Sequence, residues 1–221
     1  MSWLEAAALG ALQGLTEFLP VSSSGHLVLG RAMLGIPPGG VTFEVVVHLG
    51  TMAAILMVFG RDLLSLLSGA ARLEATSLRM LGVLAAASVP AALAGLLLRS
   101  SIEGLFGSPV LVSVMLLVTG TLLWITRFAP RADVPIAPRA DVPAPGPAHG
   151  ECSPGFSRGL AIGVAQAVAI IPGISRSGAT IAAGLMVGVE RRAAAEFSFL
   201  LAIPAIAGAA LLDLPESDLL A

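Results

Sequence analysis

Lysine is absent from this chain of 221 residues, so its 12 basic residues are all arginines, set against 14 acidic ones for a formal charge of −2. That balance excludes a nucleic-acid surface and a polybasic lipid anchor, both of which need clustered positive charge. A single cysteine, Cys152, excludes an internal disulfide and says little about redox compartment. The N-terminus MSWLEAAALG lacks the basic residues that open a secretory leader and carries Glu5 instead, so it is not read as a cleaved signal. Charged residues of either sign make up only 12% of the chain, against 56% hydrophobic residues and a mean hydropathy of +0.93. Soluble domains fall well short of these apolar values, and the chain reads as a membrane protein.

A spanning helix needs about 20 mostly apolar residues. Three segments meet that length with clear punctuation, near 43–60, 81–98 and 109–126, and a fourth runs near 196–212. Arginine is uneven in the loops between them: Arg61, Arg72 and Arg79 in the first, Arg99 beside Glu103 in the second, and Arg127, Arg131, Arg139 and Arg158 in the third. The positive-inside rule then predicts the first and third loops in the cytoplasm and residues 99–108 outside. The third loop holds a tandem octad, APRADVPI then APRADVPA, within a stretch whose proline density predicts an extended spacer over 129–156. His149 and Cys152 in that spacer are too few and too scattered to predict a metal site.

Two further hydrophobic stretches, 1–36 and 157–189, are each broken in the middle by a polar cluster, LPVSSSGH in one and IPGISRSGAT in the other. At an offset of 153 residues Gly10 falls on Gly163, Gln13 on Gln166, Ser22 on Ser175, Ser24 on Ser177 and Gly25 on Gly178. The chain thus contains two copies of one unit, residues 1–128 and an incomplete second copy at 157–221. Three spans, an odd number, separate the interrupted stretches, so the second copy is expected to enter the membrane from the opposite side. The predicted fold is an all-α integral membrane protein with an inverted repeat of re-entrant helical hairpins plus transmembrane helices. Each hairpin arm, at about 12 to 17 residues, is too short to cross. Paired interrupted segments of this kind point to a site near the bilayer midplane where the two polar turns meet.

The turns carry chemistry that apolar helices otherwise avoid. Gln13 and Glu17 are four residues apart on one helical face. Ser22, Ser23 and Ser24 precede a helix whose first turn holds His26, and Ser175, Arg176 and Ser177 precede another. Hydroxyls and a guanidinium at a helix N-terminus suit a phosphate or other oxyanion, because the free amides and the arginine fork both favour negative charge. For Ser24 and Ser177 close helix packing competes with ligand contact as the reason for a small residue. Glu17 alone fits an ion-coupling group as well as a catalytic one, and His26 could serve as a cap but favours function beside Glu17 and three serines. Glu44 and His48, at the mouth of the first span, stand evenly between structure and function. Arg176 favours a ligand, since a guanidinium deep in an apolar segment needs an anion beside it.

QGLTEFLPVSSSGH together with PGISRSGAT resembles the signature pair of the bacterial undecaprenyl-diphosphate phosphatases of the bacitracin-resistance type, and the likeness runs from Met1 to about Leu212 around the spacer. The resemblance implies a multi-pass enzyme of the bacterial inner membrane. It would remove one phosphate from undecaprenyl diphosphate, recycle the carrier lipid for peptidoglycan synthesis and confer bacitracin resistance. Carried over by position, it implies catalytic parts for Glu17, Ser23, His26 and Arg176, and substrate contacts from Ser22, Ser24, Ser175, Ser177 and Thr180. It also implies a divalent cation, Mg²⁺ or Ca²⁺, held by Glu17 with Gln13, which stands where the family carries Glu or Gln. The chemistry expected is phosphoryl transfer with Ser23 as nucleophile activated by His26, or else attack by a water activated by His26 or Glu17. Expected partners are the prenyl diphosphate and membrane lipids, with a homodimer as one assembly and no nucleic acid.

One departure stands out: the family usually continues for about two more membrane helices, whereas this sequence ends just after its fourth span, so the expected fold is C-terminally short. The same hairpins would also serve a transporter or lipid flippase with Glu17 and Arg176 as coupling and binding charges, and an inactive truncated homologue is a third reading. The serine and histidine cluster separates the first reading from the second, since a carrier needs neither nucleophile nor base.

Overall fold

The computed structural model describes residues 1–37, 41–130 and 154–213, and among these every regular element is a helix. The octads beyond Pro130, with His149 and Cys152, lie outside the described residues. In chain order the helices are α1 (Trp3–Glu17), α2 (Ser23–Met33), α3 (Val41–Ala71), α4 (Ala75–Leu97), α5 (Arg99–Leu105) and α6 (Pro109–Ile125). A 3₁₀ turn (Thr126–Phe128) then precedes the spacer, and α7 (Phe156–Val168), α8 (Arg176–Met186) and α9 (Arg191–Asp213) follow it.

Four of these are long and apolar enough to cross a membrane: Phe43–Ala71, Ala75–Leu97, Pro109–Phe128 and Arg191–Leu212. Met57, Val110 and Leu117 are 72–87% exposed, and apolar surface of that extent is stable only against acyl chains. The run predicted near 43–60 is longer in the structure, because α3 passes through Arg61 and Asp62 and ends at Ala71. Hydropathy marks where the apolar run stops, but a helix stops where its backbone turns. Leu73 takes a left-handed φ of 60°, and Leu73 N–H and Glu74 N–H close back onto the carbonyls of Ala70 and Gly69 at 2.9 Å each.

The two pairs α1/α2 and α7/α8 are built alike. Their arms are 15 and 11 residues in the first pair and 13 and 11 in the second. At 1.5 Å per residue none exceeds about 23 Å, short of a hydrocarbon core of about 30 Å. The second arm of each begins at a serine N-cap: Ser22 Oγ accepts from Gly25 N–H at 3.3 Å, and Ser175 Oγ from Gly178 N–H at 3.0 Å. Each also ends at a glycine with positive φ, Gly35 at 66° and Gly188 at 79°. The following amides bond back to Arg31 O at 3.0 Å and Gly184 O at 2.9 Å, a closure that favours glycine because a Cβ crowds the left-handed region.

The core lies where α3, α4, α7 and α9 meet, around Leu66, Val83, Leu84, Ala87, Ile162 and Phe197. There α7 approaches α4 so closely that a Cβ on Gly163 would stand 2.1 Å from Ala87 O, and one on Gly159 would stand 2.3 Å from Val83 Cγ1. Gly10, the position matching Gly163 in α1, has nothing within 4 Å of the same point. Gly163→Ala is therefore expected to destabilise the protein by about 1–3 kcal/mol, as overpacking against backbone does. Gly10→Ala should be neutral or stabilising by up to about 1 kcal/mol, from helix propensity. Thermal unfolding of the two variants in detergent micelles checks this, and equal melting temperatures would refute the α4 packing.

Candidate active site

Each polar turn is placed by its own backbone. α1 ends at Glu17, with Phe18 as its C-cap, just before Pro20, which cannot donate an amide to a continuing helix. Ser22 then takes φ 67°, uncommon for a residue with a side chain, and turns the chain so that α2 starts beside the end of α1. In the second turn the positive φ falls on Gly173 at 93°. Thr119 of α6 pins that turn from outside: its hydroxyl donates to Gly173 O at 2.9 Å and accepts from Ser175 N–H at 3.0 Å.

The two turns meet in a reciprocal way. A Cβ on Gly25 would lie 3.2 Å from Gly173 Cα, and one on Gly178 would lie 3.1 Å from Pro20 O. Since Gly25 matches Gly178 and Pro20 matches Gly173, each contact is the image of the other, as a local two-fold relation requires. Backbone approach of this kind leaves no room for side chains at the two glycines. Ser177 joins the turns further, its hydroxyl lying 3.4 Å from Leu19 O and 3.5 Å from Glu17 O.

Glu17 is the hub of what this brings together. Arg176 Nη2 donates to Glu17 Oε1 at 2.5 Å, across 159 residues of chain. On the other oxygen, Gln13 Nε2 donates to Oε2 at 2.8 Å, the Ser23 hydroxyl donates to the same atom, and His48 Nε2 stands 3.8 Å away. His48 is aimed by its other nitrogen, which lies 2.6 Å from Glu44 O one turn earlier on α3. The carboxylate is nearly buried, 9% exposed, and such a charge is tolerable only because a guanidinium and three further polar groups surround it.

This cluster opens into a cavity of about 1030 Å³. Glu17, Ser22, Ser23, Ser24, Ser175, Arg176 and Ser177, all predicted from sequence, line it. Further out its wall is apolar, from Ala91 and Leu96 of α4 to Ile206 and Leu211 of α9. Such a chamber suits a ligand with an anionic head and a long hydrocarbon tail.

Three predicted residues do not line the cavity: Gln13, fully buried, reaches the cluster through its bond to Glu17, and the other two are placed elsewhere. His26 is not among the cavity-lining residues, and its Nδ1 is engaged by Ser22 O at 2.8 Å, while the Ser23 hydroxyl turns to Glu17 instead. Thr180 is 1% exposed and spends its hydroxyl on Arg176 O at 2.8 Å and on Ser198 of α9 at 2.5 Å, so it ties α8 to α9 rather than facing the cavity.

Sequence reasoning left other groups without a part. Gln166 lines the cavity, is 2% exposed and has neither amide atom bonded among the described residues. Its match with Gln13 was the signal that could have found it. Thr119, from a helix 54 residues away, had no such signal.

A divalent cation can be tested on donor chemistry. Gln13 is fully buried, and with its amide nitrogen committed to Glu17 its Oε1 has no partner among the described residues. An orphaned hard oxygen beside a carboxylate fits Mg²⁺ or Ca²⁺. Among the described residues no group of three or more His, Cys, Asp or Glu could hold a metal, so protein ligands would be few.

A family model described as bacitracin resistance protein BacA matches residues 6–220. The undecaprenyl-diphosphatase of Desulforapulum autotrophicum is 45% identical over 98% of this chain and 79% of its own length. That of Desulfosudis oleivorans is 45% identical over 96% of this chain and 77% of its own, and that of Moorella thermoacetica 42% over 99% and 78%. Nearly every residue of the chain is thus matched at an identity far above chance, and the chain belongs to the family of the bacitracin resistance protein BacA.

Proposed function

We propose that this membrane protein is an undecaprenyl-diphosphate phosphatase that releases the terminal phosphate and returns undecaprenyl phosphate as carrier lipid for peptidoglycan synthesis. The observation that carries this reading is the convergence of Ser23, Glu17 and Arg176 at the polar end of a long apolar cavity. The relatives named undecaprenyl-diphosphatase supply the substrate class. The short arms of both hairpins support a re-entrant placement that holds this end at membrane depth.

The Ser23 hydroxyl, already donating to Glu17, gives its proton to that carboxylate as Oγ attacks the terminal phosphorus. The new Oγ–P bond forms as the P–O bond to the bridging oxygen breaks, and its electron pair leaves on the prenyl phosphate. Water then attacks the phosphoserine phosphorus, the Oγ–P bond breaks with its electron pair on Oγ, Oγ takes back the proton held by Glu17, and inorganic phosphate departs carrying the protons of the water. Arg176 and the amides that open α2 and α8 hold the equatorial oxygens throughout. A Mg²⁺ or Ca²⁺ held by Glu17 and Gln13 Oε1 would neutralise charge on the diphosphate, with most of its other ligands from phosphate and water. Glu17 replaces His26 as base here because it, and not the imidazole, is bonded to the nucleophile.

Purified protein in micelles, given undecaprenyl diphosphate and Mg²⁺, is expected to release phosphate and to stop when a chelator is added. Absence of release from a folded sample would defeat the phosphatase reading and leave a carrier in its place. Acid quench with substrate labelled in the terminal phosphate should trap label on the wild type and not on Ser23→Ala. Normal turnover by Ser23→Ala would show direct attack by water.

A further inference from the structure

Arg31 lies at the far end of α2 and lines the same cavity as Glu17 and Arg176, yet it is only 6% exposed. Its Nη1 donates to Glu44 Oε1 at 3.2 Å, and its guanidinium carbon stands 5.2 Å from the centre of the Phe43 ring. Among the described residues its Nε–H has no partner. A guanidinium carries five donors in a planar fork, and one contact with a carboxylate leaves the Nε edge of that fork buried and unused. Burial of an unmet donor on a charged group is costly and calls for an acceptor.

Position says which acceptor. Ser24 and Arg31 are seven residues apart, two helical turns, and so share one face of α2 with about 10 Å between their Cα atoms. Helical side chains lean toward the N-terminus, which carries the Arg31 head back toward the serine turn. From the other wall, Glu44 sits one turn from His48, whose ring stands 3.8 Å from Glu17. The two cations therefore flank one chamber: Arg176 at the serine turns and Arg31 beside it, toward the apolar wall.

We propose that Arg31 binds the lipid-side phosphate of the prenyl diphosphate, with Glu44 and Phe43 holding its fork so that the Nε edge faces the ligand. This rests on the phosphatase reading and deepens it. Arg176 takes the phosphoryl group that is transferred, and Arg31 takes the one that stays with the lipid. It holds that phosphate in substrate and product alike, so its main effect falls on KM and on binding of the monophosphate, with a smaller one on kcat as charge builds on the leaving oxygen.

The test is steady-state kinetics of the full chain with undecaprenyl diphosphate, with undecaprenyl monophosphate and inorganic phosphate as inhibitors. For Arg31→Gln the expected result is a KM raised about 10–100-fold with kcat within about threefold of wild type. Inhibition by the monophosphate should weaken by the same factor, and inhibition by inorganic phosphate should not change. Arg31→Lys keeps the charge and the Glu44 pair but loses the Nε donor, and should raise KM several-fold; it decides the matter if the Gln variant does not fold. A wild-type KM in both variants, or equal weakening of both inhibitors, overturns the assignment. Inactivity of the wild type would instead remove the phosphatase reading. Direct binding of undecaprenyl monophosphate to wild type and Arg31→Gln would then judge Arg31 alone: loss in the variant supports the anion site, and equal binding overturns it.

Discussion

Glu17→Gln is expected to lower kcat for phosphate release by about 10³-fold or more, on the scale of a lost general base combined with a disrupted charge array. The substitution keeps the size of the side chain and removes its charge. Three things fail together. The Ser23 hydroxyl loses its proton acceptor, Arg176 loses the partner bonded at 2.5 Å, and the oxygen beside Gln13 loses the charge that would attract a cation. Because a freed Arg176 is only partly exposed, with its side chain at 22%, it should still attract anions. Binding of inorganic phosphate should therefore survive in Glu17→Gln, or strengthen, while turnover collapses. Stopped assays of phosphate release beside equilibrium phosphate binding would measure both. Turnover within tenfold of wild type would remove Glu17 from the reaction and leave it a structural counter-ion.

Arg176→Lys is expected to cost about 10³-fold in kcat, the lower end of what arginines contribute to phosphoryl transfer. A lysine keeps one positive charge at the serine turn, so long-range attraction for the diphosphate persists. It loses the planar fork, which can serve Glu17 with one edge and a phosphate oxygen with the other. The split between kcat and KM is informative: a fall in kcat with little change in KM means the fork acts on the transition state, as the position between the two helix N-termini implies. A rise confined to KM would make Arg176 a docking group and transfer the electrostatic burden to the amides of α2 and α8.

Much of this protein is legible in its residues taken a few at a time. Apolar runs of membrane length mark four helices because a bilayer admits only backbones that satisfy themselves. Ser22 and Ser175 mark helix starts, because capping involves residues within one turn of each other. The offset of 153 residues pairs the two hairpins without any knowledge of their packing. Even the hub residues Glu17 and Arg176 stand out, as charges where charge is expensive.

What the residues alone could not say is which of these groups touch. His26 is three positions from Ser23, close enough on a helix to suggest a pair, yet its ring turns to the Ser22 carbonyl and the serine turns to Glu17. Thr180 belongs to the same motif as Arg176, but α9 packs against it and Ser198 takes its hydroxyl. Arg31 and Glu44 lie 13 residues apart, and Thr119 is 54 from the turn it pins. Partners of this kind are chosen by how α3, α6 and α9 settle against the hairpins, a matter of shape summed over whole helices. Local periodicity places a side chain on a face, and only packing decides what that face meets.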